Sequence, residues 1–129
     1  MILRDTTQIA NQINLYKMSG AVICLASGTF DWFHYGHLRY LLDARALPSL
    51  IHGEGKPIAL AVAVNSDLSY ANFKDKEPIF PLEERVFMLD SIRGVDMVIP
   101  FSDRDPRYLI EGIRPEYYVK GNEYSLEGL

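Results

Sequence analysis

Gly28-Thr29-Phe30-Asp31-Trp32-Phe33-His34-Tyr35-Gly36-His37 is the stretch on which the reading of this 129-residue chain turns. It follows an apolar run of strand character, Ala21 to Ala26, and leads into a helical pattern carried by Leu38, Leu41 and Leu42. A strand that ends in a turn and opens a helix presents unpaired backbone N–H groups and the positive end of a helix dipole. Together these make an anion site. Two of the chain's three histidines, His34 and His37, fall there around Gly36. Imidazoles in that position point to chemistry on a phosphate.

Outward from this turn the chain alternates. Asp5 to Met18 has Ile9, Ile13 and Tyr16 at amphipathic spacing, which predicts an N-terminal helix. The helix after the histidines is expected to stop before Pro48, with Ser49 to Pro57 a surface loop. A second strand, Ile58 to Val64, is apolar throughout, as in a parallel strand covered on both faces. Asn72 to Phe80 reads as a charged loop. Pro81 opens a helix whose first turn carries Glu83 and Glu84 and whose stripe is Leu82, Val86, Leu89 and Ile92, with Gly94 ending it. Met97 to Ile99 is a third strand, Asp105-Pro106 opens a further helix, and Tyr117 to Val119 is a fourth strand. Strands alternating with helix-length crossovers mean a doubly wound parallel sheet, an α/β Rossmann-like fold. The length suits one domain, taken as residues 21–129 behind a helical extension at 1–20.

Composition narrows the function. Hydrophobic residues make up 48% and charged residues 23%, an ordinary globular balance. A net charge of −4 argues against general binding of nucleic acid or acidic membranes, which calls for a basic face. The single cysteine, Cys24, lies inside the first strand and reads as a buried core residue. No apolar run approaches the roughly 20 residues of a membrane helix and no signal-peptide pattern opens the chain, so a cytoplasmic location is expected.

In open parallel sheets, ligands bind at the carboxyl ends of the strands where the topology changes direction. The polar residues beyond the inferred strand ends are Ser27 to His37, Asn65 to Asp67, Ser102-Asp103 and Lys120 to Tyr124. They gather on one edge. There, His34 and His37 suit phosphate contact, a metal pair lacking nearby further ligands, or two structural histidines. Gly36, without a Cβ, fits close approach by a ligand. Lys74 and Lys76 follow the second strand and Arg85 opens the next helix, either as surface charges or as groups closing over a triphosphate. Asp67 suits a sugar hydroxyl, a metal or a turn cap. Trp32 and Phe33 neighbour the histidines, and Phe33 reads as a packing residue. Gly53-Glu54-Gly55-Lys56 precedes a strand instead of following one, so it is not a Walker loop, and no Gly-x-Gly-x-x-Gly occurs.

The histidine stretch resembles the signature of the cytidylyltransferase-like nucleotidyltransferases, the His-x-Gly-His superfamily. Ala63 to Asp67, Pro81 to Arg85 and Val119 to Tyr124 fall in the same order as that family's further motifs, and are most similar to its heptose-1-phosphate adenylyltransferase branch. Glycerol-3-phosphate cytidylyltransferases come next. The resemblance implies transfer of AMP or CMP from ATP or CTP to a phosphorylated small molecule, with Mg²⁺. His34, His37 and Lys74 would be catalytic, with Lys76 a substitute for Lys74. Gly28, Thr29, Phe30, Gly36, Arg85, Lys120 and Gly121 would bind the nucleotide, and Asp31, Asn65 and Asp67 the acceptor. A homodimer is compatible with the family pattern. The chain departs from it at Asn122-Glu123, in its long Ser49 to Pro57 loop, and in ending at Leu129 before the family's last strand, helix and Ile-Ser-Ser-Thr motif. A non-catalytic nucleotide-binding module and a metal-dependent hydrolase are the rival readings.

Overall fold

Strands that are apolar at every position need cover on both faces, and the fold supplies it. The computed structural model describes residues 1–53, 55–66, 78–102 and 107–120. In chain order the elements are α1 (Thr6–Met18), β1 (Val22–Gly28), α2 (Tyr35–His52), β2 (Ile58–Asn65), α3 (Leu82–Asp90), β3 (Met97–Phe101), α4 (Arg107–Ile113) and β4 (Tyr117–Lys120). The four strands are all parallel, in the order β3-β2-β1-β4.

Because successive strand residues point to opposite faces, the sheet divides the core in two. Ile23, Leu25, Ala61, Ala63 and Ile99 pack with Ile13 of α1 and Leu109 and Ile113 of α4. Cys24, Ala26, Leu60, Val62 and Val98 pack with Leu41 of α2 and Val86 and Leu89 of α3. This is the doubly wound Rossmann-like arrangement expected from the alternation. The N-terminal segment belongs to it. Ile13 is buried, and residues 1–3 lie parallel against the outer edge of β3, where Leu3 N–H donates to Val98 O at 2.9 Å and Val98 N–H to Met1 O at 2.8 Å.

The main correction concerns α2, which does not stop before Pro48 but runs on to His52 with the proline inside it. Residues 49–52 of the expected loop are therefore helical. A proline lacks the N–H that the carbonyl four residues earlier would receive, here that of Ala44. Cys24 fills the vacancy from β1, its Sγ donating to Ala44 O at 3.4 Å. Burial pushes that thiol up to about 11, so it stays protonated and able to donate. Pro81 stands at the N-cap of α3 instead of its first turn, and that helix ends at Asp90, leaving Ile92 and Gly94 in the following turn. Positive φ at Gly94, 97°, allows that turn.

Cys24→Ala is expected to lower stability by about 1–2 kcal/mol, because a buried carbonyl loses its donor. Adding Pro48→Ala restores an N–H toward Ala44 and recovers most of that loss in urea unfolding. Simple additivity of the two substitutions would show that the thiol and the proline are unconnected.

Candidate active site

The connections from β1 leave toward β2 on one side, while β4 joins on the other, so the topological switch falls between β1 and β4. Crevices in such sheets open there, beyond the carboxyl ends. The strands end together. Gly28 is level with Val64 and Ser27 with Lys120. The polar residues expected on one edge are therefore on one edge, as far as the described residues extend. Asp67, Lys74, Lys76, Asp103 and Gly121 lie outside them.

The turn after β1 is built around aromatic packing. Phe30 is buried with φ 55°, a left-handed conformation unusual for a bulky residue and found where the surroundings enforce it. Its ring packs against Phe33, His37 and Tyr40, at centroid distances of 6.4, 5.7 and 6.3 Å. Phe33 stacks on His37 at 5.6 Å and 21°, the packing role read from the sequence.

The two histidines cap α2 between them. His34 is the N-cap residue, and its Nδ1 accepts from Gly36 N–H at 2.9 Å. His37, at the third helical position, turns its Nδ1 back to accept from His34 N–H at 3.2 Å. This is a capping box in which imidazoles replace the usual hydroxyl and carboxylate. A backbone N–H can only donate, so both Nδ1 atoms carry lone pairs, and in the neutral rings the proton sits on Nε2. The ring centroids are 4.2 Å apart and tilted by 44°, with His34 exposed and His37 half-buried. Two Nε2–H donors thus stand at the positive end of an 18-residue helix.

Gly36 earns its place differently from the sequence reading. A Cβ built there would lie 2.7 Å from Cε1 and 3.0 Å from Nδ1 of His34. The space beside the glycine is taken by the N-cap ring, not held open for a ligand.

Other expected site residues hold the scaffold. Asp31 accepts from Ile79 N–H at 2.9 Å and Phe80 N–H at 2.8 Å, one with each carboxylate oxygen, clamping the segment before α3. Arg85 is 2% exposed and donates to three carbonyls: Phe80 at 2.9 Å, Thr29 at 2.8 Å and Asn65 at 2.8 Å. It joins the ends of β1 and β2 to the start of α3. Asn65 is buried at the end of β2 and Lys120 exposed at the end of β4. Thr29 is buried, and its Oγ1 is the buried side-chain oxygen that finds no partner among the described residues.

Sequence reasoning missed two tyrosines. Tyr40 OH reaches Ser27 O at 3.2 Å and Val119 O at 2.7 Å, bridging β1 and β4 at the switch. Tyr118 OH pairs with Ser27 Oγ at 2.7 Å. A tyrosine among the inward residues of α2 was the available signal, since a buried hydroxyl needs a partner.

The parallel sheet and the imidazole-bearing turn that opens α2 define a Rossmann-like α/β domain. The chain belongs to the cytidylyltransferase-like family, which it matches over residues 25–127. It is 36% identical over 122 residues to the bifunctional protein HldE of Yersinia enterocolitica, a match covering 94% of this chain and 24% of that protein. The HldE proteins of Yersinia pestis and Yersinia pseudotuberculosis match to the same extent. The chain thus spans about a quarter of the length of these relatives. The crystal structure of a lipopolysaccharide core biosynthesis protein from Thermoplasma volcanium superposes with a TM-score of 0.62 at 27% identity, covering 83% of this chain and 84% of that one.

Substituting His34 separates the cap from the donor. His34→Asp keeps a cap acceptor and is expected to unfold near wild type, whereas His34→Ala loses about 1 kcal/mol. Both lose the Nε2 donor and are expected to bind nucleotide more weakly in calorimetric titration; unchanged affinity would separate that donor from the ligand. Gly36→Ala is expected to displace the His34 ring and weaken nucleotide binding while circular dichroism stays native; unchanged binding would show that the ring has room to move.

Proposed function

We propose that this domain transfers a nucleoside monophosphate from a nucleoside triphosphate to a phosphorylated sugar, releasing pyrophosphate, with ATP and a heptose 1-phosphate as the leading pair. The observation that carries this reading is the reciprocal histidine cap, with its two Nε2–H donors at the sheet's switch point. Membership of the cytidylyltransferase-like family and similarity to HldE support it. CTP with a glycerol-3-phosphate type of acceptor is the second pair.

An oxygen of the acceptor phosphate attacks the α-phosphorus. The bond from that phosphorus to the bridging oxygen breaks, its electrons leave with pyrophosphate, and a new P–O–P linkage remains. The attacking oxygen is already anionic, so no strong general base is needed. What the protein supplies is positioning and a field of donors for charge on the transferring and departing phosphates. His34 and His37 give that field from Nε2, and Lys74 adds to it. Backbone groups of Gly28, Thr29 and Phe30 approach the phosphates, while Lys120 and Gly121 approach the rest of the nucleotide. Asn65 and Asp67 serve the acceptor side. Asp31 and Arg85 act through the backbone they hold, as positioning residues.

Mg²⁺ accompanies nucleoside triphosphates and is held largely by phosphate oxygens and water. The ion would enter with the nucleotide and offset charge on its phosphates. The described residues contain no helix long and apolar enough to cross a membrane.

A pyrophosphate-release assay crossing ATP and CTP with sugar 1-phosphates and alcohol phosphates tests the reading. His37→Ala is expected to lower turnover about a hundredfold or more, the cost of one lost donor to a developing charge. Wild-type turnover in that variant would remove the histidines from the chemistry. Nucleotide binding without any pyrophosphate release would make the domain a binding module.

A further inference from the structure

Trp32 is the chain's single tryptophan. It stands on the turn two residues before His34, and 60% of it is exposed. An indole carries a large apolar surface that water disfavours, and only one edge of this one is covered by another ring. Phe80 meets it edge to face, with centroids 5.3 Å apart and planes at 77°. Phe80 is itself held three ways: its N–H and that of Ile79 donate to Asp31, and its carbonyl receives Arg85 Nε. Ile79, equally exposed at 60%, extends the apolar surface. One edge-to-face contact does not account for a mostly exposed indole beside the histidine turn. Recognition of a ring does: the C–H face of a sugar can lie on an aromatic face while its hydroxyls stay at the wet rim.

The side of the site matters too. Arg85 ties Phe80 to the carbonyl of Asn65, so the Trp32–Phe80 pair belongs to the β2 flank of the turn. β4, with Lys120 level with Ser27, lies on the other flank. The proposed contacts divide the same way, with the nucleotide meeting Lys120 and Gly121 on the β4 flank and the acceptor meeting Asn65 at the end of β2.

We propose that Trp32, backed by Phe80, is the acceptor-selecting residue: its indole face takes the ring of the phosphorylated sugar and separates ring-bearing from acyclic acceptors. This rests on the transfer reading above. A nucleobase is the other flat ligand an indole could take, and the same experiment distinguishes it.

In steady-state assays of the full chain with ATP, Trp32→Ala is expected to raise KM for heptose 1-phosphate about tenfold. KM for ATP, kcat, and KM for glycerol 3-phosphate should stay within twofold, and Trp32→Phe should restore most of the sugar affinity. In the wild type, heptose 1-phosphate alone should change the tryptophan emission and ATP alone should not. An unchanged sugar KM in Trp32→Ala, or an emission change produced by ATP and not by the sugar, overturns the assignment. Absence of pyrophosphate release from the wild type would instead count against the transfer reading, while the emission titration still reports whether the sugar meets the indole.

Discussion

The carboxyl edge of a parallel sheet poses a constraint that the rest of this molecule answers. Each strand ends there with carbonyls that have left the ladder, and buried carbonyls must be paired. They also repel any anion brought to the same edge. Arg85 covers two of them, at Thr29 and Asn65, from a buried position, and Tyr40 covers two more across the switch. With the acceptors thus occupied, donors are left to face outward. Arg85 therefore shapes this edge through the carbonyls it holds.

The amides at the same edge are treated in a complementary way. Those of His34 and Gly36 donate to imidazole Nδ1 atoms, and those of Ile79 and Phe80 to Asp31. With Nδ1 bonded to the helix N-terminus, Nε2 carries the proton of each neutral ring, so helix geometry sets the tautomer. The buried Phe30, with its left-handed backbone, pins the turn on which all of this is mounted.

Much of this was legible from the residues alone. Uniformly apolar strands and helix-length crossovers gave the layers, and polar residues clustering at strand ends gave the edge. What escaped were pairings between distant segments. Pro48 reads locally as a helix stop, and only the thiol of Cys24, arriving from β1, shows why the helix continues. Asp31 and Arg85 stand out as charges beside the site, but their hold on backbone groups 49 and 56 positions away is invisible locally. Gly36 was recognised as requiring a bare backbone, but the neighbour demanding it was another residue of the same motif. His34 hides the start of α2 because histidine is not among the favoured N-cap residues.

At the far margin of the sheet, the first three residues run along the open side of β3 and occupy its outward amide and carbonyl at Val98. An unshielded strand there would be a template for pairing with other chains. The opening segment therefore acts as a selvedge, a finished border at which Val98 has no backbone group left to offer a neighbour.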